Sequence, residues 1–462
     1  YSKALCYVQR KFEKTQENPM KIALISLGCP KNQVDADVMC HALISAGHTT
    51  TAELAEADVI LVNTCGFIES AKQEAIDNIL EACSYKQQNP DLKVVVTGCL
   101  AERYRHEIVA EIPEVDAVVG IGSNAAICSI LERLTGKEHA PLECYGAKES
   151  LPLGGKRVIS TPAHYAYLKI AEGCNNRCHY CAIPLIRGGL RSRTIPEIVA
   201  EAKFLVGEGV KELIVVAQDI TDFGADRGGA EIAPLLDALN AVDGIAWIRL
   251  LYAYPERITD AFIAAMQRNS KVLHYLDVPI QHSNSEMLKA MNRRGDHATV
   301  CDALDRLRAA MPDITLRTTL ITGYPGETQS QFDELCEFVK AYREERLCCF
   351  AYSEEEGTVA AALPQLPQEL REKRAEIIMN LQTNIMAEKQ AQRVGKTLPV
   401  LCDEYDEDNE LYICRTTADA PEIDAEVCVK SETPIEPGTF LNVTIEDSDV
   451  YDLFGTPALP AL

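Results

Sequence analysis

The sequence is poor in aromatic residues and in basic charge. Aromatic side chains make up 6% of the 462 residues, and only one of them is a tryptophan. Lys and Arg number 45 against 69 Asp and Glu, which gives a formal net charge of −24. A field of this sign repels phosphate backbones and attracts basic macromolecules. The composition therefore disfavours a nucleic acid as the direct substrate and favours a basic protein as the partner.

Long hydrophobic runs are also missing. The apolar stretches KIALISLG, ADVILVN and DLKVVVTG stop at strand length, far below the ~20 residues of a membrane-spanning helix. The first 19 residues carry no apolar core followed by a small-residue cleavage site, so no secretory signal is predicted. In such a chain the eighteen cysteines are expected to serve metals or cores rather than disulfides. These features predict a cytoplasmic protein without membrane contact.

Residues 20–140 follow a β/α pattern, and residues 1–19 precede it as an extension. Short apolar strands alternate with helices predicted at 34–46 and 70–82, which is typical of a parallel sheet. Each of three strands ends in a cysteine, and we call Cys29, Cys65 and Cys99 the N-terminal trio. A lone cysteine is more often a small buried side chain. Since ligands collect at the carboxyl ends of parallel strands, three such thiols predict a metal site.

A second set of cysteines lies in residues 172–181, EGCNNRCHYC, at a C-x3-C-x2-C spacing. We call Cys174, Cys178 and Cys181 the loop trio. Zinc would need a fourth ligand, and His179 directly follows Cys178, a spacing too short for an ordinary zinc finger. A 4Fe–4S cluster held by three thiolates leaves one iron open, and an open coordination position admits a substrate. The spacing therefore favours such a cluster over zinc.

The rest of the chain divides into three further parts. Residues 141–163 are predicted to be a linker, either without regular structure or with a short strand pair. Residues 164–394 alternate strands and helices as in a complete or partial (β/α) barrel. A long helix is predicted at 367–394. Residues 395–462 contain short β segments expected to form a small barrel. An acidic run lies at 403–410 within this module, and taken alone it is best interpreted as a solvated loop.

The motifs resemble those of a known enzyme family. GCNNRCHYC after a first barrel strand resembles the signature of the radical S-adenosylmethionine (SAM) superfamily. SLGCPKN, NTCGFIESAK and VTGCL, together with LRSR, YLDVPIQH and TTLITGYPGET, resemble the methylthiotransferases of that superfamily. The resemblance implies an α/β fold of three parts: an N-terminal parallel-sheet domain, a radical SAM partial barrel and a C-terminal small β-barrel called TRAM.

The family resemblance also implies the cofactors. Both trios would hold 4Fe–4S clusters, the loop trio the SAM-cleaving one and the N-terminal trio an auxiliary one. SAM would act as methyl donor and, after reductive cleavage, as the source of a 5′-deoxyadenosyl radical. No catalytic side chain beyond the cluster ligands is implied. The residues predicted to contact SAM at the strand ends are Tyr180, Arg191, Gln218, Asp219 and Gln281.

Within the family, the sequence resembles the branch that modifies protein twelve of the small ribosomal subunit at the β-carbon of an aspartate. NTCGFIESAK, AEGCNNRCHYCAIPLIRG, ADAPEID and YDLFG carry this resemblance. It turns the acidic run into a predicted docking surface for a basic ribosomal protein, at Asp406, Glu407 and Asp408. An electron donor such as a flavodoxin is implied. The alternatives are a tRNA adenosine methylthiotransferase and a non-catalytic iron–sulfur module that passes electrons.

Overall fold

The computed structural model describes residues 4–5, 19–134 and 141–458. Contacts among residues divide the chain into two compact units. The first consists of Tyr1–Thr161, Lys169–Arg193 and Ser353–Thr358, and the second of Pro162–Leu168, Thr194–Tyr352 and Val359–Leu462. Both cysteine trios therefore belong to the first unit. Among the described residues, no helix has the length and apolar character needed to cross a membrane.

A seven-stranded sheet forms the centre of the first unit, in the order β1-β2-β4-β5-β6-β7 with β3 beside β2. Its strands are β1 (Ala4–Leu5), β2 (Lys21–Ser26), β3 (Thr49–Thr50), β4 (Val59–Thr64), β5 (Lys93–Gly98), β6 (Ala117–Val119) and β7 (Leu142–Cys144). Its helices are α1 (Pro30–Ser45), α2 (Glu69–Ser84), α3 (Cys99–Arg103), α4 (Arg105–Glu111) and α5 (Ile127–Leu134). Among the described strands of this sheet, β1 alone runs antiparallel to its neighbour.

The sheet is buried on both faces, as the continuous apolar strands predict. Alternate residues of β2 pack into two different hydrophobic cores. Ala23 and Ile25 belong to one core, and Ile22 and Leu24 belong to the other. The two predicted helices are confirmed as α1 and α2, and α1 begins four residues early because Pro30 fits the first helical position.

Two short strands join this sheet from outside the predicted β/α region 20–140. Leu142–Cys144, within the expected linker, pairs in parallel with β6, and Ala4–Leu5, within the expected extension, pairs with β2. Both pairings occupy sheet edges, where backbone hydrogen bonds rather than an apolar periodicity hold the strand. The other residues of the extension lie outside the described residues, except for Pro19.

The second unit is built on a six-stranded sheet in the order β15-β14-β13-β12-β11-β8, whose strands from β11 to β15 pair in parallel. The elements from residue 165 to residue 351 are β8 (Tyr165–Lys169), β9 (Ala171–Glu172), α6 (Ile183–Arg187), β10 (Arg191–Ser192), α7 (Ile195–Gly207), β11 (Glu212–Val216), α8 (Ile232–Asn240), β12 (Trp247–Leu250), α9 (Asp260–Arg268), β13 (Val272–Asp277), α10 (Ser285–Ala290), α11 (His297–Ala310), β14 (Thr315–Thr322), α12 (Gln329–Tyr342) and β15 (Arg346–Ala351). Of these, β9, α6 and β10 belong to the first unit. The order of the strands is that of a partial (β/α) barrel.

A long helix and a closed five-stranded barrel follow, in the strand order β16-β17-β18-β20-β19. These elements are α13 (Gln368–Ala391), β16 (Thr397–Asp406), β17 (Leu411–Thr416), β18 (Val427–Val429), β19 (Phe440–Ser448) and β20 (Leu453–Pro457). A helix and a small barrel are what the sequence predicts here, so the predicted fold class is confirmed. Four of the eight buried residues in the small core of this barrel are valines.

A segment of the small barrel supplies ion pairs to the strands of the larger sheet. We call it the plug segment, residues 415–424, and it contains the ADAPEID stretch. Arg415 lies 2.8 Å from Oε2 of Glu212 on β11, and Asp419 pairs with Arg346 on β15. All four side chains are buried. Since an unpaired buried charge is costly, these contacts fix the segment to the sheet.

Candidate functional site

The N-terminal trio lies where three neighbouring parallel strands end. Cys29 precedes the first residue of α1, Cys65 directly follows β4, and Cys99 opens α3 directly after β5. Register pairs place Ser26 beside Asn63 and Thr64 beside Gly98, so the thiols share one edge of the sheet. Burial, together with the charges of Cys99 and Cys29, raises the pKa of Cys65 to about 12. The trio is thus close enough for mutual electrostatic repulsion.

A glycine next to each of these cysteines leaves no room for a side chain. A Cβ on Gly28 would lie 2.7 Å from Cβ and 3.0 Å from Sγ of Cys65, and one on Gly98 would lie 2.4 Å from the Thr64 oxygen. Gly28 and Gly98 have φ values of 91° and 92°, which favour glycine. A Cβ on Gly66 would meet the backbone of Leu100 at 2.8 Å. The sequence therefore keeps the backbone close-packed around the thiols.

The chemistry of these donors fits an iron–sulfur cluster. Burial raises the pKa of Cys65 and Cys99. These thiols therefore lose their protons only when a strong positive charge, such as a bound metal, stabilises the thiolate. Among the described residues, no three His, Cys, Asp or Glu side chains are grouped around a point where one metal ion could sit. Soft thiolates are the usual protein ligands of iron–sulfur clusters, so three such donors suit a cluster of several iron atoms.

The loop trio is carried by residues 173–182, which we call the cysteine loop. The amide of Cys174 donates to the Gly188 oxygen at 3.1 Å, and the amide of Cys181 donates to the Cys178 oxygen at 3.0 Å. The amide of Asn176 donates to Sγ of Cys174 at 3.5 Å. Backbone hydrogen bonds thus shape this loop, and α6 follows it at once.

A buried group of four charges joins the cysteine loop to the N-terminal sheet domain. Arg187, the last residue of α6, lies 2.9 Å from Oδ2 of Asp35 and 2.7 Å from Oε2 of Glu172. Lys169 pairs with the same two carboxylates, at 3.1 Å from Glu172. Nη2 of Arg187 also donates to Sγ of Cys99 at 3.4 Å. Two cations and two anions therefore balance inside the unit that holds both trios.

Two predicted SAM-contacting residues lie in the first unit. Tyr180 is half-buried in the cysteine loop between the last two cysteines. Arg191, on β10, donates to the backbone oxygens of Glu149 at 2.6 Å and of Lys148 and Leu151 at 3.2 Å. These contacts tie β10 to the segment before β8, and a SAM contact for either residue stays a prediction.

Three more predicted SAM-contacting residues follow strands of the second unit. Gln218 and Asp219 come after β11, and Gln281 comes after β13 with a φ of 69°. The carboxylate of Asp219 accepts from the Thr221 amide at 3.0 Å and pairs with Arg257 at 2.5 Å. All three lie at the carboxyl ends of strands, as predicted, but Asp219 also holds its own loop. Their contact with SAM stays a prediction.

The acidic run forms the hairpin between β16 and β17. Glu407 and Asp408 are exposed, whereas Asp406 accepts the amides of Asp408 at 3.0 Å and Asn409 at 3.1 Å. Hydrogen bonds from Asn409 hold the pKa of Asp406 below its usual value. Glu404 is exposed on the adjoining strand. Three of these four carboxylates are therefore open to a partner, and Asp406 shapes the turn.

Sequence reasoning missed the buried charges. Lys169 ends the fully buried strand YAYLK, and Arg187 ends the apolar helix IPLIR. A charged residue at the end of an apolar buried element is a usable signal, because such charges persist only when paired. The carboxylate of Asp35 on α1 lies 134 residues from Lys169 along the chain, so no local pattern could reveal the pairing.

Three segments of the chain match known protein families. Residues 21–120 match the uncharacterized protein family UPF0004. Residues 168–339 match the radical SAM superfamily, and residues 394–457 match the TRAM domain. Their order along the chain agrees with the predicted fold class.

Similar proteins are known from several bacteria. The chain is 46% identical over 443 residues to the ribosomal protein uS12 methylthiotransferase RimO of Acetivibrio thermocellus, covering 94% of this chain and 98% of that protein. It is 45% identical over 442 residues to the protein of the same name from Clostridioides difficile, with the same coverage. It is 43% identical over 440 residues to the protein of that name from Lachnoclostridium phytofermentans, covering 95% of this chain and 100% of that protein.

Solved structures share the fold at low identity. The radical S-adenosylmethionine methyltransferase TsrM from Kitasatospora setae, with cobalamin and a 4Fe-4S cluster bound, aligns with a TM-score of 0.55 at 13% identity, covering 74% of this chain and 77% of that one. The cobalamin-dependent S-adenosylmethionine radical enzyme OxsB aligns with a TM-score of 0.51 at 11% identity, covering 78% and 56%. These likenesses concern the fold alone.

Proposed function

We propose that this chain, which belongs to the RimO family of ribosomal protein uS12 methylthiotransferases, transfers a methylthio group to that ribosomal protein. The acceptor is the β-carbon of an aspartate, where a C–H bond is replaced by a C–S bond. The observation that carries the proposal is the presence of both cysteine trios in one compact unit, linked through α6. Methylthio transfer needs a source of radicals and a source of sulfur, and each trio serves one need.

The cofactors are two 4Fe–4S clusters and SAM. We assign the SAM-cleaving cluster to Cys174, Cys178 and Cys181 and the auxiliary cluster to Cys29, Cys65 and Cys99. When bound, these groups supply the carbon radical, the sulfur and the methyl group. The protein itself holds the thiolates and keeps water away from them: Cys65, Cys99 and Cys178 are buried. Exclusion of water protects a reactive radical from side reactions.

The acidic hairpin supports a basic protein as the partner. Exposed carboxylates at Glu404, Glu407 and Asp408 project from a chain with a net charge of −24. Such a surface accelerates encounters with a basic protein and slows encounters with RNA. Tyr180, Arg191, Gln218, Asp219 and Gln281 complete the proposal as SAM-contacting residues. A flavodoxin or a similar protein is the proposed electron donor.

A substrate competition tests this function. The anaerobically reconstituted chain receives SAM, dithionite and an equimolar mixture of purified uS12 and unmodified tRNA. We expect mass spectrometry of uS12 to show one added methylthio group on a single aspartate, with the tRNA unchanged. Methylthiolated adenosine in the tRNA, with uS12 unchanged, would contradict the proposal. A chain with all three loop-trio cysteines changed to alanine is the control and should modify neither substrate.

A further inference from the structure

The hydrogen bond between Arg187 and Cys99 links a buried cation to a proposed cluster ligand. We propose that Arg187 is a positioning residue that raises the reduction potential of the auxiliary cluster and couples this cluster to the cysteine loop. The inference rests on the proposed function, because it takes the N-terminal trio as the cluster site. It assigns to Arg187 a task that neither the sequence motif nor the cysteine geometry gives it.

The guanidinium is held from both sides. Nη1 lies 2.9 Å from Asp35 and 2.7 Å from Glu172, while Nη2 lies 3.2 Å from Oδ1 of Asn32 and 3.4 Å from Sγ of Cys99. Arg187 is 1% exposed. A planar fork fixed by two carboxylates and an amide cannot turn away from the thiol, so its N–H points at the sulfur.

The guanidinium affects the reduction potential locally, although the four buried charges balance. Arg187 and Lys169 offset Asp35 and Glu172, so the buried group is neutral as a whole. Nη2 nevertheless faces the thiol, and the two carboxylates bind the guanidinium through Nη1. A cluster on three thiolates becomes more negative when it gains an electron. A nearby cation with an N–H···S bond favours that reduced state, because hydrogen bonds to sulfur raise cluster potentials.

The cysteine loop fixes where this cation lies. The helix α6 begins two residues after Cys181. Ala182, the last residue of the cysteine loop, and Ile186 of α6 pack against Cys99 in one buried cluster. The amide of Cys174 binds the Gly188 oxygen directly after Arg187. A shift of the loop therefore moves the guanidinium relative to Cys99. The state of one cysteine site is thereby transmitted to the other through a single side chain.

A redox titration of the auxiliary cluster tests the inference. The parent is the full chain with Cys174, Cys178 and Cys181 changed to alanine, which leaves one proposed cluster. Dithionite donates one electron to the cluster, and electron paramagnetic resonance reports the reduced fraction at each potential. The test variant combines Arg187→Met with Glu172→Gln, which removes the N–H···S donor and keeps the buried charge balanced. Asp37→Asn with Arg157→Met removes a separate buried ion pair of α1 and is the matched control.

We expect the test variant to shift the reduction equilibrium about tenfold toward the oxidised cluster, or about 59 mV for one electron. Arg187→Lys should stay within about threefold of the parent, because it keeps the charge, and so should the control variant. Arg187→Gln, which loses the charge but keeps an amide donor, decides the matter if the test variant does not fold. An unchanged potential in Arg187→Gln or in the test variant overturns the inference. Absence of iron from the parent would instead contradict the auxiliary cluster of the proposed function.

Discussion

The hydroxyl group of Tyr275 donates a hydrogen bond to Oδ2 of Asp424 over a distance of 2.6 Å. Tyr275 lies on β13, and Asp424 ends the plug segment. Both side chains are buried, and Oδ1 of Asp424 lies 3.4 Å from Nε of Arg317 on β14. The carboxylate of Asp424, from the small barrel, thus binds side chains on two strands of the larger sheet. The stability of the two parts is therefore expected to be shared.

Tyr275→Phe should lower the free energy of unfolding by about 1.5–3 kcal/mol, because a buried carboxylate loses a hydrogen-bond donor. Urea denaturation followed by circular dichroism measures the change. Tyr405→Phe is the control, because that side chain is 44% exposed, and it should stay within about 0.5 kcal/mol of the wild type. Equal effects of the two substitutions would argue against a role for the plug segment in stability.

Glu344 gives the stability a defined dependence on pH. Burial raises the pKa of this carboxyl from 4.5 to about 7. The folded chain then binds a proton more tightly than the unfolded chain does, so the stabilising contribution is complete below about pH 4.5 and is lost as the pH rises to about 7. Between these limits the loss is on the order of 3 kcal/mol.

Glu344→Gln should remove this dependence. Relative to the wild type, the variant gains stability as the pH rises through the window and reaches a plateau above about pH 7. Urea denaturation of both proteins across this range gives the difference directly. Glu337→Gln, at an exposed helical site, should show no such trend. A constant difference between Glu344→Gln and the wild type would contradict the raised pKa.

Gly28→Ala should disturb the N-terminal trio selectively. The added Cβ would lie 2.7 Å from Cβ of Cys65, and the φ of 91° at this position strains any other residue, at a cost of about 1–3 kcal/mol. Iron bound after reconstitution should fall by about half, since one of two clusters is lost. Gly207→Ala, where the new Cβ meets open space, should keep its iron. Full iron content in Gly28→Ala would show that the pocket tolerates displacement of Cys65.

Cluster counts should separate the two trios. Reconstituted wild type should hold about eight iron and about eight sulfide ions per chain, and each triple alanine variant about four. With the N-terminal trio replaced, reductive cleavage of SAM to 5′-deoxyadenosine should continue, while methylthio transfer stops. A wild-type content near four iron ions per chain would contradict the proposal of a second cluster. Wild-type transfer by the N-terminal variant would make that trio structural.

The acidic hairpin should control the rate of encounter with uS12. Replacing Glu404, Glu407 and Asp408 with Lys should slow association roughly tenfold at low salt, and added salt should reduce the difference, because exposed charges are screened over about 8–10 Å. Asp406 stays unchanged because it holds the turn. Stopped-flow binding and SAM cleavage are both measured, and cleavage should not change.

The matched control for the hairpin places the same charge change elsewhere on the surface. Glu107, Glu111 and Glu114 are exposed residues of the first unit, and their replacement with Lys alters the net charge equally. If this control slows association as much as the hairpin variant does, overall charge rather than the hairpin governs the encounter. Faster binding of tRNA by the hairpin variant alone would localise the repulsion to this barrel.

Local sequence patterns predicted most of the fold, because the spacing of apolar residues within short segments distinguishes strands from helices. The same apolar patterns predicted where β4 and β5 end, and therefore the positions of Cys65 and Cys99 directly after these strands. The contact between Arg187 and Cys99 could not be predicted in this way, because it spans 88 residues and depends on how α6 packs. The acidic run likewise looked uniform, although Asp406 is engaged within its own turn.

The buried group of Asp35, Lys169, Glu172 and Arg187 predicts an order in which the chain is synthesised and the pocket of the N-terminal trio is completed. A ribosome delivers all of the N-terminal trio before it reaches Arg187, which comes roughly 4–18 s after Cys99 at ordinary elongation rates. Until then Asp35 lacks its cationic partners, and a nascent chain can close the pocket only by burying an unpaired charge. Iron delivered earlier would meet an unfinished pocket. We therefore expect a cluster to be loaded onto the N-terminal trio only after the chain has been synthesised beyond α6.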